Sequence, residues 1–98
     1  MANVLKWTDR ALEEYDGLLA YLYSEWGEEI TLKIMLEVEK AVLRIQNSPE
    51  HFPVFQKRHN VRRCVMSPQT SIFFKVKKDH IEISTLFDNR QNPKKRKL

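Results

Sequence analysis

The sequence predicts an α+β fold in which a helical hairpin packs on one face of a small, mainly antiparallel sheet. Apolar residues recur at spacings of three and four between positions 9 and 46, which indicates amphipathic helices. From position 61 the period changes to two, which indicates strands. A short β-prone segment precedes the first helix, so the predicted order is β-α-α-β-β-β. Ninety-eight residues suffice for one core, and we expect a single domain over residues 1–98 with a basic tail at 94–98.

The first strand is predicted at Asn3–Trp7, and the first helix follows it directly. Thr8 is a suitable N-cap, and Asp9 places an acid in the first turn, where it complements the helix dipole. The apolar stripe of this helix comprises Ala11, Leu12, Tyr15, Leu18, Leu19, Leu22 and Trp26. We expect its aromatic residues, together with Tyr23, to pack in the core. Gly27 ends the pattern.

The second helix is predicted from Glu28 to Gln46 and is apolar on two sides. Its main stripe comprises Ile30, Ile34, Val38, Ala41, Val42 and Ile45. Leu32, Leu36 and Leu43 lie on nearly the opposite side. A helix with two apolar faces needs a second neighbour, either the first helix or a partner protein. The sequence Asn47-Ser48-Pro49 ends the helix.

Three strands are predicted after a loop at Glu50–Asn60: Val61–Met66, Thr70–Lys77 and His80–Phe87. A two-residue turn at 78–79 would place Lys75 opposite Glu82 and Phe73 opposite Ser84. The predicted apolar face, which takes the helices, comprises Ile72, Phe74, Val76, Ile81, Ile83 and Phe87. The predicted polar face, open to a partner, comprises Phe73, Lys75, Lys77, His80, Glu82 and Ser84.

Composition and charge restrict the class of protein. A formal net charge of +4 and a pI near 9.3 fit an acidic protein partner, a nucleic acid or a solvated basic terminus. No apolar run is long enough for a membrane span, and no secretory signal is evident, so we expect a cytoplasmic protein without a membrane partner. The single cysteine, Cys64, excludes an internal disulfide and a cysteine-based metal cluster. We expect no metal site and no cofactor.

Arg90 is the first candidate for function. It follows the last predicted strand, within Asp88-Asn89-Arg90-Gln91-Asn92-Pro93, and the cationic run 94–97 comes next. A guanidinium held at a sheet edge offers a rigid fork of donors for a phosphate or a carboxylate. The alternative is that Arg90 simply caps the end of the sheet.

Six segments in this order resemble one known superfamily: Leu5-Lys6-Trp7-Thr8 with Ala11-Leu12, Tyr23-Ser24-Glu25-Trp26-Gly27, Asn47-Ser48-Pro49, Val61-Arg62-Arg63, Ile72-Phe73-Phe74-Lys75-Val76 and Leu86-Phe87-Asp88-Asn89-Arg90-Gln91-Asn92-Pro93. Over nearly its whole length the chain is similar to the RelE/ParE superfamily of bacterial toxins, also called plasmid stabilisation proteins. The resemblance implies a cytoplasmic, growth-inhibiting toxin of a type II toxin–antitoxin module, held inactive by a cognate antitoxin.

Members of the superfamily have one of two activities, mRNA cleavage or inhibition of DNA gyrase. RelE-like members cut mRNA on the ribosome, and the matching residues here would be Arg62 and Arg90. Cys64, Ser71 and Arg96 stand where that group carries further basic or tyrosine side chains. Cleavage through the 2′-hydroxyl needs proton transfer, and arginine stays protonated. His80 on the predicted polar face could take that role; the alternative is a solvated residue at the hairpin turn. We therefore prefer a ParE-like toxin that inhibits DNA gyrase by binding it, with no confident catalytic residue.

Two alternatives stay open: an mRNA endoribonuclease with an altered site, and a non-toxic interaction module on the same fold. The predicted target-binding residues are Arg62, Arg63, Lys75, Lys77, Arg90, Lys94, Lys95 and Arg96. Within the adjacent pair the resemblance favours Arg62; the alternative is that both arginines are edge charges that oppose aggregation. The predicted antitoxin-binding residues are Leu32, Leu36, Leu43 and Phe73. The expected partners are an antitoxin and either gyrase or the ribosome with mRNA, and a homodimer is compatible with the sequence.

Overall fold

A helical hairpin covers one face of a five-stranded sheet in the computed structural model, which describes residues 4–90. The elements are β1 (Leu5–Trp7), α1 (Asp9–Trp26), α2 (Glu28–Asn47), a 3-10 turn (Pro49–His51), β2 (Val54–Gln56), β3 (Val61–Val65), β4 (Thr70–Val76) and β5 (Ile81–Asp88). Both helices begin within a residue of the predicted positions. The α+β class and the packing of the hairpin on one face of the sheet are confirmed.

The strands lie in the order β1-β5-β4-β3-β2. β1 pairs with β5 in parallel, and the other neighbours are antiparallel, so the mainly antiparallel sheet is also confirmed. The prediction missed β2, which lies inside the segment assigned to a loop. Three exposed residues form β2, and such a short strand has no periodicity to detect.

A β-bulge shifts the register between β4 and β5. Lys75 stands opposite Glu82 as predicted, but Phe73 stands opposite Thr85 rather than Ser84. Ser84 is therefore the extra residue, and the alternation of side chains changes phase beyond it. Leu86 is consequently 3% exposed and faces the core, whereas Phe87 is 39% exposed. The prediction that Phe87 lies on the core face was wrong for this reason.

The core lies between the hairpin and the inner side of β3, β4 and β5. Its buried apolar residues are Ala11, Leu18, Leu22, Ile34, Val38, Ala41, Ile45, Cys64, Ile72, Phe74, Ile81, Ile83 and Leu86. The main stripe of α2 is thus confirmed as its core face. Burial raises the pKa of the Cys64 thiol, although the nearby Arg44 charge opposes the rise. This cysteine is a small apolar core residue, as predicted.

The apolar stripe of α1 stops short of the end of the helix. Tyr23 is 64% exposed and Trp26 is 59% exposed, so the prediction that they pack in the core was wrong. Gly27, at φ 91°, turns the chain straight into α2. No other element in the described part of the chain covers the outer side of that last turn.

α1 also seals the edge of β5. Pairing with β1 ends at Trp7–Ile83, and within residues 4–90 no strand pairs with the later backbone groups of β5 on that side. The Thr8 hydroxyl donates to the Ser84 carbonyl (3.1 Å) and accepts from the Ala11 amide (3.0 Å). The Leu86 amide donates to a carboxylate oxygen of Glu14 (3.0 Å). Side chains of the helix therefore satisfy backbone groups that a sheet edge would expose.

Neither helix is apolar and long enough to cross a membrane, judged over residues 4–90.

Replacing Thr8 should test this junction. We expect Thr8→Ala to lower the free energy of unfolding by about 1–2 kcal/mol, because it removes both the N-cap and the bond to β5. Thr8→Ser keeps the hydroxyl and should cost less than half as much. Urea unfolding followed by circular dichroism measures both variants, and equal losses for alanine and serine would contradict the assignment.

Candidate partner-binding surfaces

The guanidinium of Arg90 is already occupied within the chain. Its Nη2 and Nε donate to the two carboxylate oxygens of Asp88 at 2.7 and 3.1 Å, and its backbone amide donates to the same group at 2.8 Å. The Asp88 side chain is fully buried, and it also accepts a short hydrogen bond from the Thr70 hydroxyl. Arg90 therefore caps the β4–β5 end of the sheet, with 27% of its side chain exposed.

This network changes the acidity of Asp88. Burial alone would raise the pKa of its carboxyl, but the hydrogen bonds from Arg90 and Thr70 outweigh burial and hold the pKa below the usual value. The carboxylate is thus charged in the folded protein at neutral pH. A buried charge that is well paired in this way is costly to leave unpaired.

Arg62 lies on the helix side of the sheet. It shares a face of β3 with the buried Cys64, because side chains alternate along a strand. Its Nη1 donates to the Phe52 carbonyl at 2.6 Å. The Phe52 ring packs edge-on against Phe74, and the Arg44 guanidinium lies 5.8 Å from its centroid. Arg62 therefore fastens the segment before β2 to the core.

Arg63 points to the other side, here called the open face: the side of the sheet that carries Arg63, Phe73 and Lys75, away from the helices. Its guanidinium carbon lies 5.7 Å from the ring centroids of both Phe55 and Phe73. The two rings are 4.9 Å apart at 64°. The Arg63 Nε donates to the Ser71 hydroxyl at 3.1 Å. We call Arg63, Phe55 and Phe73 the arginine–phenylalanine cluster.

The other predicted cations of β4 lie toward one end of the open face. Lys75 is half-buried opposite Glu82, and Lys6 of β1 stands opposite the same glutamate on its other side. Glu82 accepts a hydrogen bond from the Ser84 hydroxyl at 3.1 Å. Lys77 is exposed beside the turn, where its amide donates to the His80 carbonyl at 2.8 Å. Cations outnumber the acid along this row.

An apolar cleft lies on the helical side. It has a volume of about 520 Å³ and is lined by Trp7, Tyr15, Leu32, Met35, Leu36, Val38, Glu39 and Val42. We call it the helical cleft. The Trp7 and Tyr15 rings stack at 5.5 Å. Burial, followed by the charges of Glu39 and Asp16, raises the pKa of the Tyr15 hydroxyl, which stays protonated.

The predicted antitoxin-binding residues divide between two surfaces. Leu32 and Leu36 line the helical cleft, Leu43 lies exposed on the same helix outside its lining, and Phe73 belongs to the open face. The prediction that this leucine stripe is exposed is confirmed. Sequence reasoning did not assign Trp7, Met35 or Phe55 to any surface. Only the folded topology brings Trp7 to α2 and Phe55 to β4.

Three of the predicted target-binding cations, Lys94, Lys95 and Arg96, lie outside the described residues. His80, on the predicted polar face, lies at the exposed β4–β5 turn, with its Nδ1 2.7 Å from Asp79 Oδ1. A hydrogen bond from His80 lowers the pKa of Asp79. Between residues 4 and 90, no group of three histidine, cysteine or acidic side chains could hold a metal ion.

Comparison with known proteins identifies the family. The model of the ParE toxin of the type II toxin–antitoxin system, parDE, matches residues 5–93. The chain belongs to the ParE toxin family. No curated protein matches it in sequence.

Solved structures confirm the RelE/ParE toxin fold for this ParE family member. A chain of the chromosomal ParDE system from P. aeruginosa is 22% identical, with 89% of this chain and 96% of that chain covered and a TM-score of 0.76. A chain of the E. coli DinJ–YafQ toxin–antitoxin complex is 6% identical, with 92% and 96% covered and a TM-score of 0.61. A conserved hypothetical protein from Helicobacter pylori is 16% identical, with 93% and 98% covered and a TM-score of 0.57.

The Asp88 network gives a pH-dependent prediction. Because the folded-state pKa is lowered, its contribution to stability is fully present above the unfolded pKa of about 3.9 and is lost as pH falls through the folded pKa. At pH 7 we expect Asp88→Asn to lower the free energy of unfolding by about 1.5–3 kcal/mol. The difference from the parent protein should stay constant down to about pH 5 and shrink below about pH 4.

Urea unfolding of both proteins between pH 3 and pH 7 measures this difference. Glu29→Gln, which removes an exposed carboxyl at the start of α2, is the matched control and should cost little at any pH. A difference for Asp88→Asn that is the same at pH 3 and pH 7 would contradict the assigned network.

Proposed function

We propose that this ParE family member arrests growth by binding DNA gyrase in the cytoplasm, and that an apolar segment of its antitoxin keeps it inactive by filling the helical cleft. Membership of the ParE family carries the toxin assignment. Complexes named as toxin–antitoxin systems among the structural neighbours support an antitoxin as partner. We assign antitoxin binding to the cleft and target binding to the open face.

The helical cleft suits an amphipathic helix. Leu32 and Leu36 are 50% and 58% exposed, and with Met35 they form a continuous apolar wall facing the stacked rings of Trp7 and Tyr15. Apolar surface of this kind, concave and contiguous, is typical of a groove that accepts side chains at spacings of three and four. Glu39 in the lining favours a cationic residue on the partner next to its apolar ones.

The open face suits protein binding better than RNA cleavage. RNA hydrolysis needs groups that give and take protons near neutral pH. The described cations of the open face are arginine and lysine, and its carboxylate, Glu82, lies between two lysines in the strand register. The histidine beside this face, His80, lies at the turn with its Nδ1 2.7 Å from Asp79 Oδ1, away from the arginines. A surface of arginine, lysine and phenylalanine can bind a protein without any such group.

Induced expression tests the proposal. We expect growth to stop when the chain is expressed alone and to continue when the neighbouring upstream open reading frame is expressed with it. The purified toxin should inhibit supercoiling by purified gyrase, and total mRNA from the arrested cells should stay intact. Unchanged growth would support a non-toxic module, and codon-positioned cuts in translated mRNA would support an endoribonuclease; either result would overturn the proposed mechanism.

A charge in the cleft should separate antitoxin binding from toxicity. We expect Leu36→Glu to weaken antitoxin binding about 30-fold or more, because it places an acid beside Glu39 in a groove that otherwise buries apolar side chains. Isothermal titration calorimetry with purified antitoxin measures the affinity, and growth arrest should persist. Leu43→Glu makes the same change at a comparably exposed leucine outside the cleft and should weaken binding less. Equal losses would place the antitoxin along the whole stripe rather than in the cleft.

A further inference from the structure

We infer that the arginine–phenylalanine cluster on the open face is the anchor by which the toxin holds its target, with Arg63 pairing with a carboxylate on an acidic part of the target protein. This inference rests on the proposed function and names the site and the chemistry of that contact.

The fold holds the Arg63 side chain in one orientation. Its Nε donates to the hydroxyl of Ser71, which is itself 5% exposed, and its guanidinium lies over both phenylalanine rings. Phe55 comes from β2 and Phe73 from β4, so two neighbouring strands fix the group from both sides. A side chain ordered before binding loses less conformational entropy on binding, which favours affinity.

The terminal nitrogens of Arg63 remain available. Among residues 4–90 neither Nη1 nor Nη2 of Arg63 has a hydrogen-bond partner, and no carboxylate forms an ion pair with it. By contrast, two guanidinium nitrogens of Arg90 donate to Asp88, and one guanidinium nitrogen of Arg62 donates to the Phe52 carbonyl. Of the three arginines that the sequence singled out within the described residues, Arg63 is the one on the open face whose fork is free to bind a carboxylate.

Apolar surface surrounds the available fork. Phe55 and Val65 are each 58% exposed; Val65 shares the open side of β3 with Arg63. Arginine beside exposed aromatic and aliphatic side chains is the composition of residues that dominate binding energy in protein interfaces. We expect the partner to carry an aspartate or glutamate next to an apolar side chain. The acid would pair with Arg63, and the apolar side chain would pack on Phe55 and Val65.

The same features argue against a nucleic acid on this surface. The Arg63 guanidinium already lies over both phenylalanine rings, which meet each other edge-on, so the rings do not form an open stacking platform. Along the strand register, Lys6 and Lys75 flank Glu82, which cancels part of the positive charge that phosphates would need. An acidic protein surface needs fewer cations.

Substitution of Arg63 tests the anchor. We compare the parent toxin with Arg63→Ala, Arg63→Lys and the control Arg10→Ala, which removes the same charge from an exposed position on α1. Binding to purified gyrase and to purified antitoxin is measured for each, together with growth arrest on induction. We expect Arg63→Ala to weaken gyrase binding about 30-fold or more and to relieve arrest, while antitoxin binding in the cleft changes less than about threefold. Arg63→Lys keeps the charge but loses the fork, so it should restore binding only in part.

The outcomes separate the anchor from the proposed function. Arrest and gyrase binding by Arg63→Ala at the parent level would overturn the anchor and leave the toxin assignment standing. Failure of the parent protein to arrest growth or to bind gyrase would overturn the proposed function and, with it, the partner assigned here. Arrest that depends on Arg63 without gyrase binding would support the anchor and reject gyrase as its partner. Loss of antitoxin binding alone, or binding of a single-stranded RNA 20-mer that needs Arg63, would overturn the assignment to a target protein.

Discussion

The bulge at Ser84 is the constraint on which the rest of this fold depends. It changes the phase of the side-chain alternation along β5. Ile81 and Ile83 before the bulge face the core, and Leu86 and Asp88 after it do so as well. If the same residues alternated regularly after Ile83, Phe87 would face the core and the Asp88 carboxylate would face the other side of the sheet. The bulge also offers its own carbonyl to Thr8, which ties the start of α1 to the middle of the sheet. One inserted residue thus sets the core, the helix junction and the capped end of β5.

The strand register also decides which arginine is available to a partner. Bringing Asp88 inward gives Arg90 a buried counter-charge, so a residue that sequence suggests as a free fork becomes a cap. Arg62 shares a face with Cys64 and is drawn to the Phe52 carbonyl. Of these three arginines, Arg63 is the one that points to the open face. There the Phe55 ring of β2 and the Phe73 ring of β4 hold its guanidinium. Similar side chains therefore acquire different roles through backbone position alone.

Sequence reasoning located most elements, because apolar periodicity reports the buried side of a helix or a regular strand. It failed where the pattern is interrupted or partners are distant. The spacing Ile81, Ile83, Leu86 was a readable sign of the bulge, since the buried positions step by two and then by three. The exposure of Trp26 was not readable, because periodicity does not say where a neighbouring element ends. Nor was the cluster at Phe55, which depends on pairing across β2, β3 and β4.

The position of the two surfaces constrains how an antitoxin could neutralise this toxin. The helical cleft and the open face lie on opposite sides of the sheet, so a segment that fills only the cleft leaves Arg63 uncovered. Direct competition for the target therefore requires an antitoxin that also passes around a sheet edge. The β1 edge connects the two sides, because Trp7 lines the cleft while its neighbour Lys6 points to the open side. A segment on this route would meet Lys6 and Glu82 first, whereas Phe73 lies beyond β5 on β4. Coverage of the leucines of α2 and coverage of Phe73 are therefore separable, and an antitoxin confined to the cleft can bind without touching the arginine–phenylalanine cluster.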